Sequence, residues 1–551
     1  MKNIFFIIID ALRMDSLNDD MSEKIAPNLK KMCGKGLVEK IITNGQVTKF
    51  VVPSIFTQTF PLDYGGYNYG IKNRPKSFVE LLNKNKILCR MFEGHDIDGP
   101  YGRCERGFSQ KKFYYDKRLL LEGFLKKKIL YDIGRWRSSE IDKDEIIKII
   151  QTELLEILKY MIKQERIDFG FLKKRLGTFS LNEKNNIESE IYLLTENPEL
   201  VLKKIININP YFYYDYLGKS PSKKLFLNFK IRNKFFSYKK KVQALFNNFF
   251  STEINFIPSR PKITSSCKKM FSDSLDGFDK IDSKVFTYIH FMDLHDHNIF
   301  TSFADFWSKI KFLPRVVSAR LNSKNEYFKK LTYDLTLCEV DNQLSVFLKK
   351  LKKIKKLNDS IFFVIGDHGD GWDDMRSKEL RKDFGYRTYY EHINIPFIIS
   401  PFKHKKLKKP FLYDSMSISA SILKILKIKP DNSFKGRSIF SKGSQIIITE
   451  NCGRGNADII KKDIFFTLTS LHHKLFCKIE GKKLTLNRLY EIDKDPRELN
   501  NIINDISLEI PNKFLSYLYK KRKEILNIRG FKKSPKLGHP NVHILSDHAK
   551  N

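Results

Sequence analysis

The sequence predicts an α/β fold, a mostly parallel sheet flanked by helices that carries a helical insertion and a small C-terminal antiparallel subdomain. The run Ile4-Phe5-Phe6-Ile7-Ile8-Ile9 is unbroken, apolar and made of β-branched and aromatic side chains, the pattern of a strand buried on both faces, and it stops at Asp10. A second such run, Ile361-Phe362-Phe363-Val364-Ile365, stops at Gly366 and Asp367-His368-Gly369-Asp370-Gly371. Ligands of open α/β sheets bind at the carboxyl ends of strands, so both acids stand where chemistry concentrates. A lone Asp after a strand commonly caps the following helix. Two strand ends that together deliver two carboxylates and an imidazole suit Mn, Zn or Mg better than an all-oxygen Ca site.

With 551 residues, 41% of them apolar and 13% aromatic, the chain can bury a large core and is a folded protein. No stretch approaches the ~18 apolar residues of a membrane span, the N-terminal run lacks a signal-peptide cleavage pattern, and a cytoplasmic location is the expectation. The seven cysteines (Cys33, Cys89, Cys104, Cys267, Cys338, Cys452 and Cys477) are odd in number and never spaced as a metal knuckle, which reads as free thiols. A net charge of +37, from 100 Lys and Arg against 63 Asp and Glu, attracts polyanions, although a Lys-, Asn- and Ile-rich composition also follows from coding bias. No nucleic-acid module is present, so a nucleic-acid partner is a minor expectation.

In chain order, residues 14–36 predict a helix containing Pro27-Asn28-Leu29-Lys30-Lys31-Met32 and closed by Gly34 or Gly36, and residues 37–43 a strand. Next comes Asn44-Gly45-Gln46-Val47-Thr48-Lys49-Phe50-Val51-Val52-Pro53. Pro53 suits the first turn of a helix, whose free N–H groups then face the Thr48 loop and favour an anion. A capped helix follows Ser77, and residues 87–92 form a strand. Residues 111–282 predict a basic, mostly helical insertion or lid, 285–290 a buried strand, and 333–353 a long amphipathic helix. Beyond the strand at 395–400 and the helix at 417–428, the alternating stretches 465–469 and 474–479 predict a small antiparallel sheet. The basic tail after Ile528 is expected to be poorly ordered. The expected units are therefore 1–110 and 283–442 for the catalytic domain, 111–282 for the insertion, 443–528 for the C-terminal subdomain and 529–551 for the tail.

The motifs occur in a recognisable order. They are Asp10-Ala11-Leu12-Arg13, Pro53-Ser54-Ile55-Phe56-Thr57, Arg106-Gly107-Phe108, His290-Phe291-Met292-Asp293-Leu294-His295, Asp367-His368-Gly369, Tyr390-Glu391 with the strand after it, and Leu489-Tyr490-Glu491-Ile492-Asp493-Lys494-Asp495-Pro496. So ordered, the chain resembles the sulfatase-like hydrolases of the alkaline phosphatase superfamily. The resemblance implies an alkaline-phosphatase-like fold and metal-dependent cleavage of sulfate or phosphate esters. Asp10, Asp367 and His368 would hold one or two divalent ions (Mn, Zn, Mg or Ca). Formylglycine sulfatases carry Cys or Ser two residues before the proline, where this chain has Val51, and an Arg where it has Ile55. In a group that includes phosphoethanolamine transferases, a Thr five residues before the proline is the nucleophile, which here is Thr48. Phosphoester hydrolysis is therefore favoured.

His295 matches the histidine that contacts the anionic group and protonates the leaving oxygen. The family's Gly-Pro after it is Asp296-His297 here, and its Glu-His after Gly371 is replaced by Trp372-Asp373-Asp374. Asp293, His297 and His392 are candidates for a second metal or for substrate, and Lys49 is placed to neutralise a phosphoryl oxygen. The expected partner is an anionic ester, such as a phosphorylated or sulfated glycan. Alternatives are a sulfatase working without the aldehyde, a phospho-headgroup transferase acting on a glycan, and a non-catalytic glycan- or polyanion-binding protein.

Overall fold

Strand β1 (Asn3–Ile9) lies in the middle of an eight-stranded sheet, although it stands near the start of the sequence. It pairs in parallel with β5 (Val285–Phe291) on one side and β6 (Ser360–Ile365) on the other. Outward from β5 come β3 (Leu88–Glu93) and β4 (Gln110–Phe113); outward from β6 come β7 (Asn394–Ser400), β2 (Leu37–Ile42) and the short β8 (Tyr413–Asp414). β7 runs against both its neighbours, and the other pairs are parallel. The computed structural model describes residues 2–18, 22–95, 102–115, 117–163, 179–249, 266–295, 297, 307, 309–320, 328–371, 384–402, 411–453, 455–505 and 507–545.

The uninterrupted apolar run of β1 has a direct cause in its packing. Ile4, Phe6 and Ile8 enter a core with Val51, Phe56 and Phe78 on one face, while Phe5, Ile7 and Ile9 enter a second core with Phe347 and Phe271 on the other. With cores on both faces, no polar side chain is tolerated between Ile4 and Ile9. The helix Phe328–Lys353 covers the second face, in agreement with its predicted amphipathic pattern. The helix expected over 14–36 is instead Asp15–Asn18, Ser22–Ile25 and Pro27–Gly34. Pro27 stands at a helix start because it lacks the N–H that a continuing turn would use.

The described part of 117–249 is helical and has its own core, centred on Leu125, Ile150, Leu158, Ile187 and Val201. The fully buried Lys204 ammonium donates to Glu190, which also accepts from Tyr213 Oη at 2.7 Å. Tyr131 Oη to Asp458 (2.7 Å) and Lys72 to Glu156 (3.2 Å) tie these helices to the rest of the chain.

A second sheet, ordered β13-β12-β11-β10-β9, comprises β9 (Ile447–Asn451), β10 (Ile464–Thr469), β11 (His473–Glu480), β12 (Lys483–Glu491) and β13 (Val542–Ile544). It is antiparallel from β9 to β12, as the alternation predicts, and the helix Glu509–Ile528 packs on it. The tail departs from expectation. β13 adds to β12 in parallel, and Phe531 and Val542 are buried, so apolar anchors order the chain through Leu545. All seven cysteines are free, and no helix among the described residues is long and apolar enough to cross a membrane.

Candidate active site at the carboxyl edge of the sheet

Asp10 follows β1 directly, and the chain then turns through Ala11 in the left-handed conformation (φ 62°), uncommon for a residue with a Cβ. Two hydrogen bonds hold the turn. Ala11 N–H donates to Asp367 Oδ1 (3.2 Å), and Tyr333 Oη donates to the Ala11 carbonyl (3.0 Å). The turn after β6 lies equally close. A Cβ on Gly366 would come within 2.3 Å of the Leu12 carbonyl oxygen, and one on Gly369 within 1.9 Å of that of Glu391. Glycine at 366 lets the ends of β1 and β6 close on each other, and glycine at 369 lets the turn pack on the segment that precedes β7.

Thr48 reaches this junction from the other direction. The helix here is Thr48–Thr57, so Pro53 sits at its sixth position and not in its first turn as expected. Thr48 itself is the first helical residue, because the extended Val47 (φ −146°) turns the chain and no side chain caps the helix. The first-turn amides and the positive end of the dipole therefore surround the Thr48 hydroxyl. That hydroxyl donates to Asp10 Oδ2 at 3.2 Å and lies 3.4 Å from His368 Nε2. His368 Nε2 is 3.4 Å from Asp10 Oδ1 and 3.6 Å from Asp367 Oδ2, and its Nδ1 faces the Gly369 carbonyl at 2.6 Å, which orients the ring.

The structure thus brings Thr48, Asp10, Asp367 and His368 together, all buried. His295 joins them, half-buried, its ring 5.8 Å from that of His368 and edge-on to it. Ligand atoms of Asp10, His295 and His368 lie within 4.8 Å of one another, as do those of Asp10, His290 and Asp367. Asp10 Oδ1 and Asp367 Oδ2 are buried without a hydrogen-bond partner. Orphaned carboxylate oxygens beside imidazole nitrogens are a donor set that fits a divalent ion.

The remaining candidates have other neighbours. Asp293 accepts from the Cys267 N–H at 2.9 and 3.1 Å, at the start of the helix Cys267–Ser274. His297 Nδ1 faces the Leu294 carbonyl (3.1 Å) and Asp370 Oδ2 (3.9 Å). Asp293 and His297 therefore contact different groups and belong to neither ligand cluster. His392 Nδ1 lies 3.7 Å from Glu391, and burial pushes its pKa down to about 3, which keeps the ring neutral. Lys49 turns toward the Gly455 carbonyl (3.3 Å) and the stacked Phe50 and Tyr67 rings. Asp296 and Trp372-Asp373-Asp374 lie outside the described residues.

Several groups at the site were not singled out from sequence. His290 lies in β5 directly across from Glu93 in β3, and both are fully buried. Its Nδ1 is 3.0 Å from Glu93 Oε1, and its Nε2 is 3.3 Å from Asp10 Oδ2. Burial opposes charge on this ring, yet Glu93 and Asp10 outweigh it and raise the His290 pKa well above the ordinary value. Burial likewise works to raise the Asp10 pKa, but His295, His290 and His368 hold it well below the carboxylate range. Asp370 is held low too, since His297, His295, His392 and His368 together outweigh its burial. The available signal was a titratable residue after an apolar pair near a strand's end, Glu93 after Met91-Phe92 and His290 after Tyr288-Ile289.

Ion uptake has a measurable consequence. In a thermal melt, a divalent ion added to about 100 times its Kd is expected to stabilise the chain by about 2.7 kcal/mol. Asp367→Asn should remove most of that gain, and an unmoved wild-type melting temperature across Mn, Zn, Mg and Ca would refute the metal assignment.

The Sulfatase family profile matches residues 224–428, which include β5, β6 and the Asp367-His368 turn. An arylsulfatase of Clostridium perfringens is 26% identical over 198 residues, 34% of this chain and 38% of that protein, so the match spans well under half of that relative's length. Among solved structures, a protein of the Bacteroides thetaiotaomicron locus for metabolism of multiple glycosaminoglycans superposes with a TM-score of 0.54 at 12% identity, covering 95% of this chain and 96% of its own. Ps i-CgsB in complex with k-i-k-neocarrahexaose gives 0.50 at 11% identity, over 95% and 92% of the two chains. At such identities the likeness is one of fold. Over residues 224–428, which carry the second strand end, the chain is similar to the sulfatases, and it shares the fold of these solved structures.

Proposed function

We propose that the chain hydrolyses anionic esters, phosphoesters in preference to sulfate esters, with Thr48 as nucleophile. The observation that carries this reading is the Thr48 hydroxyl hydrogen-bonded to Asp10 Oδ2 and 3.4 Å from His368 Nε2, at a helix N-terminus that favours an anion. A divalent ion held by Asp10, Asp367 and His368 would supply Lewis acidity and lower the hydroxyl pKa. The acidified Thr48 hydroxyl releases its proton to solvent, Oγ1 attacks phosphorus, and the ester P–O bond breaks. His295 gives a proton to the departing alcohol oxygen. Water then cleaves the phosphothreonine, releasing phosphate and restoring the hydroxyl. Val51, in place of the formylglycine precursor, favours phosphorus over sulfur.

Sulfate esters are the second reading, supported by the arylsulfatase relative. The oligosaccharide bound by Ps i-CgsB supports a saccharide-borne substrate. The deciding experiment is a panel of chromogenic phosphomonoester, phosphodiester and sulfate-ester substrates given to metal-reconstituted protein beside Asp367→Asn. Phosphoester turnover lost in the variant is expected. Turnover of sulfate esters alone would replace the substrate assignment, and silence across the panel in a protein that takes up no metal would favour a glycan- or polyanion-binding role.

A further inference from the structure

Away from the Thr48 site, a cavity of about 180 Å3 lies where the helix Glu509–Ile528 meets the carboxyl end of β8 and the start of β9. The volume is several times the ~30 Å3 share of one water. Four cations line it from two separate stretches of chain, Lys435 and Arg437 from the turn after the helix Ser415–Ile425, and Lys520 and Lys521 from the C-terminal helix. Lys435 reaches Asp63 at 2.7 Å. Among the described residues, Arg437, Lys520 and Lys521 make no ion pair with a carboxylate, and Arg437 Nη1 donates to the Gly443 carbonyl at 3.3 Å. Lys521 lies over the Tyr517 ring, 5.9 Å from its centre.

One acid in the lining, Asp414, faces these four cations. Asp414 accepts from the Ser417 N–H (3.2 Å) and the Asn44 side chain (3.4 Å), and its burial raises its pKa toward the neutral form. Burial, Arg437, Lys520 and Lys435 lower the Lys521 pKa against the opposing pull of Asp414, as expected where like charges outnumber the counter-charge. The Ser417 hydroxyl donates to Asp414 Oδ1 (3.1 Å), and Ser444 hydrogen-bonds Tyr517, so the cations are the donors that face the cavity.

We propose that this cavity binds a tetrahedral oxyanion, phosphate or sulfate, free or borne as an ester on a saccharide, at a site separate from Thr48. The guanidinium and ammonium groups supply both the charge and the hydrogen-bond donors that recognise such a group. Asn44, which holds Asp414, stands four residues before Thr48 in the chain.

The test is isothermal titration of the full chain with inorganic phosphate and with inorganic sulfate, at an ionic strength held constant with chloride. A K520Q/K521Q variant should lose one equivalent of bound anion or bind it at least tenfold more weakly. K349Q/K350Q, which removes the same charge from exposed positions on the helix Phe328–Lys353, should bind as wild type does. Equal losses in both variants, or none in K520Q/K521Q, would overturn the site. Arg437→Gln should repeat the loss if the double variant folds poorly, and wild-type binding in a folded Arg437→Gln chain would also overturn it. A heparin-derived sulfated disaccharide that binds through these lysines at least tenfold more tightly than inorganic sulfate marks an ester-borne ligand; equal or weaker binding through them marks the free ion. Because no turnover is read, the result stands apart from the hydrolase assignment.

Discussion

A Thr48→Ala chain should lose ester turnover by about three orders of magnitude or more, equivalent to about 4 kcal/mol of barrier. Its folded stability should change by less than about 1 kcal/mol. The side chain is buried against Asp10 and His368, so its hydroxyl faces the candidate ligand cluster and not the apolar core. Alanine at the first position of a helix costs little backbone order. Thr48→Ser, which keeps the oxygen, should retain most of the rate. Initial rates on the best phosphoester, paired with thermal melts, separate the two effects. Wild-type turnover in Thr48→Ala would remove the residue from the nucleophile role.

The largest loss of stability should come from Arg522→Met, about 3–5 kcal/mol. The Arg522 side chain is 5% exposed and joins three parts of the chain. Its Nε lies 2.7 Å from Glu450 Oε2, its Nη2 donates to Glu450 Oε1 at 2.9 Å, and its Nη1 donates to Asp63 Oδ1 at 2.6 Å. Glu450 is fully buried in β9 and also accepts from the Leu62 N–H at 2.9 Å. Without the guanidinium, two carboxylates remain in a poorly solvated place, with Lys435 left to offset Asp63 alone. Chemical denaturation reads the loss. Glu450→Leu added to Arg522→Met should recover part of it, since removing both partners spares the stranded charge. If Arg522→Met cost less than about 1 kcal/mol, this ion pair would not be what fastens the C-terminal helix.

The strands that frame the site were readable because burial on both faces leaves a local mark, the unbroken runs before Asp10 and Asp367. β5 and β7 carry much the same mark, whereas β2 and β3, with Glu39, Lys40 and Arg90 inside them, read as strands on a weaker pattern. The start of the helix at Thr48 was misplaced because Pro53 suggests a first turn, whereas the extended Val47 and the packing of Phe50 against Tyr67 set the boundary five residues earlier. β13 escaped because three residues carry too little pattern to mark an edge strand. The partnership of Glu93 with His290 joins positions almost two hundred residues apart, and no local periodicity registers it. Which residues meet across strands is a matter of register, which only the assembled sheet sets.

The place of β1 also bears on how the protein is made. It is the first strand of the chain but lies between β5 and β6, so its partners begin only at Val285 and Ser360. At a synthesis rate of about 5–20 residues per second, roughly 15–60 s pass before the first of them leaves the ribosome. During that interval the Ile4–Ile9 run has no sheet to enter and offers an extended, uncharged segment to other chains. Closing a loop of that length carries an entropy cost before any pairing rewards it. The residues that build the carboxyl edge around Asp10 therefore stay without their sheet partners until the middle of the sheet can close.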